Sequence, residues 1–364
     1  MKTKITREDA FILWMMASEI TDAQRLLSRF GSAEAVFRSG FAGAAACRQE
    51  LEKAVRQTEA AMDTGMRFIS YKNPEFPTRL AAIPGAPPGI FVYGSLPDES
   101  APNVAIIGMR DCTHYGGQTA YRLGKELAAL GLTIISGMAR GLDACAHEGA
   151  LAAEGKTAAI LPGGADVCYP TENFQLYRRI KNQGCIISES MPGLKPRNWS
   201  YPARNRIISA MSDVLIVVEA GERSGTLTTV NHALDQGKEV FAVPGRIFDA
   251  TSAGTNALIK QGAHILTDHL DILAVLRNQN HLANFFAAAA SFHEVEAKIK
   301  TVKEKISLAS DQALVYACIS HEAVSTDYIA YKTGLNVPDV NKILLELELA
   351  GQIKKISGQK YIKT

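Results

Sequence analysis

The sequence predicts an α/β protein: a Rossmann-like, doubly wound, mostly parallel sheet with a small N-terminal helical domain and a C-terminal winged-helix domain. Three observations predict it. Seven short apolar runs between residues 104 and 266 are separated by stretches of helical periodicity, the pattern of parallel strands buried on both faces. Several of the turns that follow those runs carry glycine or arginine, as they do where a sheet presents its carboxyl ends to a ligand. The stretch 308–364 reads as three helices followed by two short strands.

Taken in order, residues 7 to about 56 are helical in pattern, broken at Thr21-Asp22 and Gly31-Ser32, where each pair supplies an N-cap oxygen. Residues 1–65 form a small helical domain, for which a packing or protein-contact module is the preferred reading. A proline-rich connector follows from 66 to 102, and prolines at that density exclude a long helix. Its last run, Gly89 to Tyr93, reads as an edge strand added to the main sheet. The strands then fall at 104–107, 132–135, 157–161, 185–188, 214–218, 239–243 and 264–266. Helices at 117–130, 142–154, 171–182 and 227–236 lie between them. The main domain spans 66–276, an alanine-, lysine- and glutamate-rich linker spans 277–307, and the winged helix spans 308–364 with its wing turning at Ser357-Gly358.

Composition narrows the class. The 364 residues carry a formal charge of only +2, so a nucleic-acid surface has to be local. The densest candidate is Lys195 to Arg206, which holds Lys195, Arg197, Arg204 and Arg206 without an acid, with Trp199 and Tyr201 interleaved. Six cysteines at 47, 112, 145, 168, 185 and 318 show no metal-ligand spacing and read as reduced thiols. No signal peptide is evident and no apolar run is long enough to span a membrane, so the cytoplasm is the expected compartment.

Four turns carry the chemistry. Gly108-Met-Arg110 replaces the glycine fingerprint of a dinucleotide site and puts a planar cation past the first strand, to hold a phosphodiester oxygen or to pair with Asp111 or Glu219. Ser136-Gly137, Arg140 and Gly141 precede a helix whose first N–H groups suit an anion. Ser224-Gly225-Thr226 repeats that design. Pro202-Ala-Arg204-Asn205-Arg206 opens another helix, with Tyr201 just before it as a ring on which a base can stack. Trp199 serves the same end or sits in the core. Asp143 and His147 share a helix face, but no third ligand is identified, so a structural role is the preferred reading and neither a metal nor a catalytic set is assigned.

The ordered motifs Val104-Ala-Ile-Ile-Gly-Met-Arg110, Ser136-Gly-Met-Ala-Arg-Gly-Leu-Asp143, Leu161-Pro-Gly-Gly164, Tyr169-Pro170, Arg204-Asn-Arg-Ile-Ile208, Ser224-Gly-Thr226 and Val243-Pro-Gly245 resemble the DprA/Smf family of bacterial DNA-processing proteins. Leu347-Glu-Leu-Ala-Gly351 resembles the family's C-terminal domain, and residues 1–65 resemble the sterile-alpha-motif-like or helix-hairpin-helix segment seen in many members. The resemblance implies a non-enzymatic protein that binds single-stranded DNA, protects it on entry, and loads the recombinase RecA during natural transformation and homologous recombination. It also implies a homodimer, no cofactor, and a phosphate-binding set of Arg110, Ser136, Gly137, Arg140, Gly164, Tyr201, Arg204, Asn205, Arg206, Ser224, Gly225 and Thr226.

The rival reading is a nucleotide phosphoribohydrolase-like enzyme using the same anion pocket. It expects Pro-Gly-Gly-x-Gly-Thr where this chain has Gly221-Glu-Arg-Ser-Gly-Thr226. In the winged helix, Asp339, Glu346 and Glu348 outnumber Lys342 on the third helix, which argues against duplex groove reading. Lys354, Lys355, Lys360 and Lys363 make the wing basic.

Overall fold

The computed structural model describes residues 5–20, 22–40, 48–288, 310–356 and 360–364. It divides into two units, 1–288 and 289–364. The first begins with α1 (Arg7–Ala17), α2 (Ala23–Phe30), α3 (Ala33–Ser39) and α4 (Arg48–Met62). Thr6 and Asp9 cap α1 reciprocally, and Ser32 caps α3 through the Ala35 amide. Asp22 does not act as expected: it sits in the left-handed region with φ 58° and makes no side-chain cap.

Next come β1 (Arg67–Ser70), α5 (Thr78–Ala81), β2 (Gly89–Gly94), β3 (Asn103–Ile107), α6 (His114–Ala129), β4 (Thr133–Ser136), α7 (Leu142–Ala152) and β5 (Thr157–Ile160). After a single 3-10 turn at 171–173 follow α8 (Phe174–Gln183), β6 (Cys185–Ser188), α9 (Ser200–Ala210), β7 (Val214–Val217) and α10 (Thr226–Asp235). The unit ends with β8 (Glu239–Ala242), α11 (Ala253–Lys260), β9 (His264–Ile265), α12 (His269–Leu276) and α13 (Ala283–Ala288).

The nine strands run in the order β1-β2-β6-β5-β4-β3-β7-β8-β9. All seven from β3 to β9 are parallel, and β2 joins β6 antiparallel. Gly89 to Gly94 is therefore not an edge strand, because β1, unforeseen in the connector, covers its free side with four paired residues. The chain progresses outward from β3 to β4, β5 and β6, then returns to the other side of β3 with β7. That reversal opens a crevice at the carboxyl ends of β3, β4 and β7.

One face of the sheet buries Ile107, Ile135, Ile160, Ile207, Leu215 and Val230. On the other, Phe68, Phe91, Ala159 and Ile186 share one apolar cluster with Ile12, Leu13, Trp14 and Val36 of the N-terminal helices. Those helices thus have no core separate from the sheet. Near the amino ends of β3 and β7, buried Asp213 accepts from Arg79 Nη1 at 2.8 Å and from the Asn103 amide at 2.7 Å, and faces His281 Nε2 at 2.8 Å. This tetrad ties the connector and the chain beyond α12 to the sheet.

The second unit contains α14 (Ser310–Cys318), β10 (Val324–Ser325), α15 (Thr326–Thr333), α16 (Val337–Leu349), β11 (Ile353–Ile356) and β12 (Lys360–Lys363). Its sheet has three strands, in the order β10-β12-β11, rather than the two expected. Val315, Ile329, Leu344 and Tyr361 form its core. Cys112, Cys145, Cys168, Cys185 and Cys318 are free thiols. Thr21, Cys47, the turn at Ser357-Gly358 and most of the 277–307 segment lie outside the described residues. Among the described residues no helix is long and apolar enough to cross a membrane.

Candidate nucleic-acid interface

Two adjoining cavities, about 340 and 280 Å3, open at the sheet's switch point, and both are lined by Arg110, Ala139, Tyr201 and Arg204. The first extends over Asn205 and Ser224-Gly225-Thr226, and the second over Gly137, Arg140, Tyr169 and Glu172. Most of the expected set thus converges on one concave surface.

The loop after β3 is positioned by Glu219. Its buried carboxylate accepts from the amide and the hydroxyl of Thr113, and its backbone carbonyl from the Met109 amide at 3.1 Å. A side chain at Gly116 would collide with that carboxylate, its Cβ overlapping Cδ, so only glycine lets α6 start there. With Glu219 engaged and Asp111 paired to Arg140 at 3.4 Å, among the described residues no carboxylate holds Arg110. Arg110 is exposed, and its guanidinium carbon lies 5.1 Å from the centre of the Tyr201 ring. The Tyr169 ring meets Tyr201 edge-on at 6.4 Å. The result is a cation over one aromatic platform, backed by a second ring.

Arg204 is a different kind of residue from the one the sequence suggested. Its side chain is buried, and Nη1 donates to the carbonyls of Gly137, at 2.7 Å, and of Ile160. Burial lowers this guanidinium to about 10, which leaves it charged at neutral pH. Asp143 faces the same spot, accepting from the amides of Gly137 and Ala139 at 3.2 and 3.3 Å. Burial pushes its carboxyl up, against the pull of Arg204. A Cβ at Gly137 would lie 2.8 Å from both Arg204 Nη2 and Asp143 Oδ2, so this glycine makes room for the buried pair. Arg204 therefore braces the β4–α7 turn and shows the cavity only part of its surface.

Three other expected residues lie elsewhere. Ser136 is fully buried and spends its hydroxyl on the Ile106 carbonyl at 2.6 Å. Gly164 packs under the 191–194 turn, where a Cβ would stand 2.8 Å from the Met191 carbonyl. Arg206 pairs with Glu189, whose carboxyl burial raises, and lines neither cavity. Tyr201 is the second residue of α9 rather than the residue before it, and Pro202 follows in the first turn, where a missing N–H costs no helix bond.

At the other wall, Ser224 Oγ stands 2.9 Å from Thr226 Oγ1 and accepts from the Thr226 amide, the first of α10, at 3.2 Å. Helix α7 starts from uncapped Gly141, at φ 79°. Two helix N-termini and their partial positive charge thus face the crevice. Trp199 is exposed, with the Arg197 guanidinium 6.0 Å from its ring. Arg197 itself is tied to Glu19 at 2.9 Å. His147 is buried, with Nδ1 2.6 Å from the Thr157 hydroxyl, and burial lowers it to about 3, so it is a neutral core group.

Tyr169, Thr228 and Thr229 also line the cavities and were not in the expected set. Tyr169 stands beside Pro170 in one of the family-like motifs, yet nothing in that pair tells which strand end it faces.

Comparison with known families agrees with this architecture. Residues 67–277 match the family model for DNA recombination-mediator protein A, and residues 301–359 match the DprA winged helix domain. The chain is 38% identical over 242 residues to the DNA processing protein DprA of Bacillus subtilis, covering 65% of this chain and 82% of that protein. It superposes on the X-ray structure of DprA from Streptococcus pneumoniae with a TM-score of 0.62 at 32% identity, over 75% of this chain and 98% of that one. The DprA structure from Helicobacter pylori, described as giving insight into a unique single-stranded DNA binding mode, matches with a TM-score of 0.53 at 32% identity, over 58% and 95% of the two chains.

Proposed function

The chain belongs to the DNA recombination-mediator protein A family, and from that premise we propose that it binds single-stranded DNA in the crevice at the carboxyl ends of β3, β4 and β7. The observation that carries the reading is the Arg110–Tyr201 pair between the N-termini of α7 and α10. A single strand offers two recognisable features, a phosphate charge and an unstacked base. Arg110 and the positive ends of the two helices meet the first, and the Tyr201 and Tyr169 rings meet the second. Because phosphates and ring faces are common to every nucleotide, base sequence matters little.

In the finer reading the protein protects an incoming strand and presents it to RecA as a homodimer, without chemistry of its own. Two copies would join two short tracks and raise avidity. The Gly221-Glu-Arg-Ser-Gly-Thr226 loop lacks the Pro-Gly-Gly-x-Gly-Thr run that the hydrolase reading expects, which supports a binding role. Fluorescence anisotropy with a labelled oligothymidylate tests the reading. The log–log slope against salt should be about −0.7 for each phosphate held. Salt-independent affinity overturns it, as does release of base from nucleoside monophosphates without strand binding.

A further inference from the structure

Beside the crevice stands a feature that the reading above leaves unused. The loop after β8 carries Ile247 and Phe248, which are 80% and 93% exposed, and Phe248 is the barest large apolar side chain among the described residues. Single bare apolar side chains are common on protein surfaces, but two adjacent ones at the tip of one hydrogen-bonded turn present a face that a ligand can cover.

The loop is rigid. Its first end is clamped by Asn256 of α11, whose side chain accepts from the Gly245 amide at 3.2 Å and donates to the Gly245 carbonyl at 3.1 Å. The Asp249 amide closes a turn on the Arg246 carbonyl at 3.1 Å, with Ile247 and Phe248 as its two central residues. The Ser252 amide closes a second turn on Asp249 at 3.0 Å. Gly245 is pressed against Ser252, and a Cβ there would overlap the hydroxyl. Such a brace fixes the ring outward instead of letting it fold onto the surface.

The loop also belongs to the same edge of the sheet. Strands β7 and β8 are parallel neighbours, and the Ala220 amide donates to the Thr251 carbonyl at 2.9 Å. The Gly254 amide donates to the Ala220 carbonyl at 2.7 Å, and Gly221 sits against Ala250. From Gly221 the chain runs directly into Ser224-Gly225-Thr226, the far wall of the crevice. Charge around the loop is balanced, Arg223 and Arg246 against Glu222 and Asp249, so the ring and not a field distinguishes it.

We infer that Phe248 is a second base-stacking platform, taking a nucleobase of the same single strand beyond the one held at Tyr201, and extending the track across β8. The inference rests on the single-strand reading of the crevice. Stacking needs only a bare ring in a fixed place, and it tolerates any base.

The experiment uses the full chain and an oligothymidylate. Phe248→Ala should bind about tenfold more weakly, with the salt slope unchanged because no phosphate contact is lost. Phe248→Leu, which keeps the apolar surface but not the π face, should be as weak, and Phe248→Trp should restore binding. When Phe248→Trp is combined with Trp199→Phe, the fluorescence of the introduced indole should be quenched on adding the strand, since the remaining Trp14 is buried. Wild-type affinity in Phe248→Ala overturns the inference while leaving the crevice reading intact. Full binding by Phe248→Leu also overturns it, as does a loss of binding that tracks a fall in sedimentation coefficient, which would make the loop a contact between copies. If the wild type itself binds no strand, the crevice reading fails and takes this inference with it.

Discussion

Replacing Arg110 with alanine separates ligand binding from folding more cleanly than any other change in the crevice. The guanidinium is exposed and held by no carboxylate among the described residues, so its charge is free for a phosphate. A hydrogen bond to a charged group contributes about 1.5–3 kcal/mol, which corresponds to a loss of roughly tenfold to a hundredfold in affinity. The salt slope should become shallower by about 0.7 as one phosphate contact disappears. Stability should change little. Only the contact with the Tyr201 ring is lost, about 0.5–1 kcal/mol, or a fall of at most a few degrees in Tm. Anisotropy titrations at several salt concentrations, paired with thermal denaturation, check both halves. Unchanged affinity with a clearly lowered Tm would refute the reasoning and make Arg110 a structural residue.

Arg204→Ala should fail in the opposite way, by destabilising the first unit by about 1–3 kcal/mol or more, because it leaves the buried Gly137 and Ile160 carbonyls without their donor; chemical denaturation reads this directly. Gly137→Ala should destabilise as well, since its Cβ meets both Arg204 and Asp143, and a wild-type denaturation midpoint would contradict the packing described. Glu126 is held down to about 2: burial alone would raise it, but His269 and Arg122 outweigh burial. Its folded value is below its unfolded one, so its contribution is fully present above about pH 5 and fades as pH falls toward 2. The acid limb of the stability curve should therefore flatten in Glu126→Gln. Ending the chain at residue 288 should leave a folded first unit that keeps its affinity for the strand within a few-fold, as α16 presents exposed Glu346 and Asp339 rather than a basic face.

The parallel strands were legible because each is a short apolar run set between helical stretches, and β3 to β9 fall within one or two residues of expectation. β1 was not, since Arg67-Phe-Ile-Ser70 is too short to show a period and its partner is set by tertiary pairing. The turns that converge were legible from topology, because parallel strands bring their carboxyl ends to one edge. Which arginine reaches solvent was not. Arg204 and Arg206 look alike in a chain of letters, yet Arg204 shares a helix face with buried Ile207 and Ile208, and that spacing was the available signal. The pairing of Arg206 with Glu189 joins residues 17 positions apart through β6 and α9, which no local pattern announces.

Cross-linking locates the strand most directly. An oligonucleotide bearing 4-thiothymidine, irradiated in complex with the full chain and mapped by peptide mass spectrometry, should attach within residues 199–206 or at Tyr169, where the two rings line the crevice. Attachment confined to residues 310–364, with none at the crevice, would contradict the account.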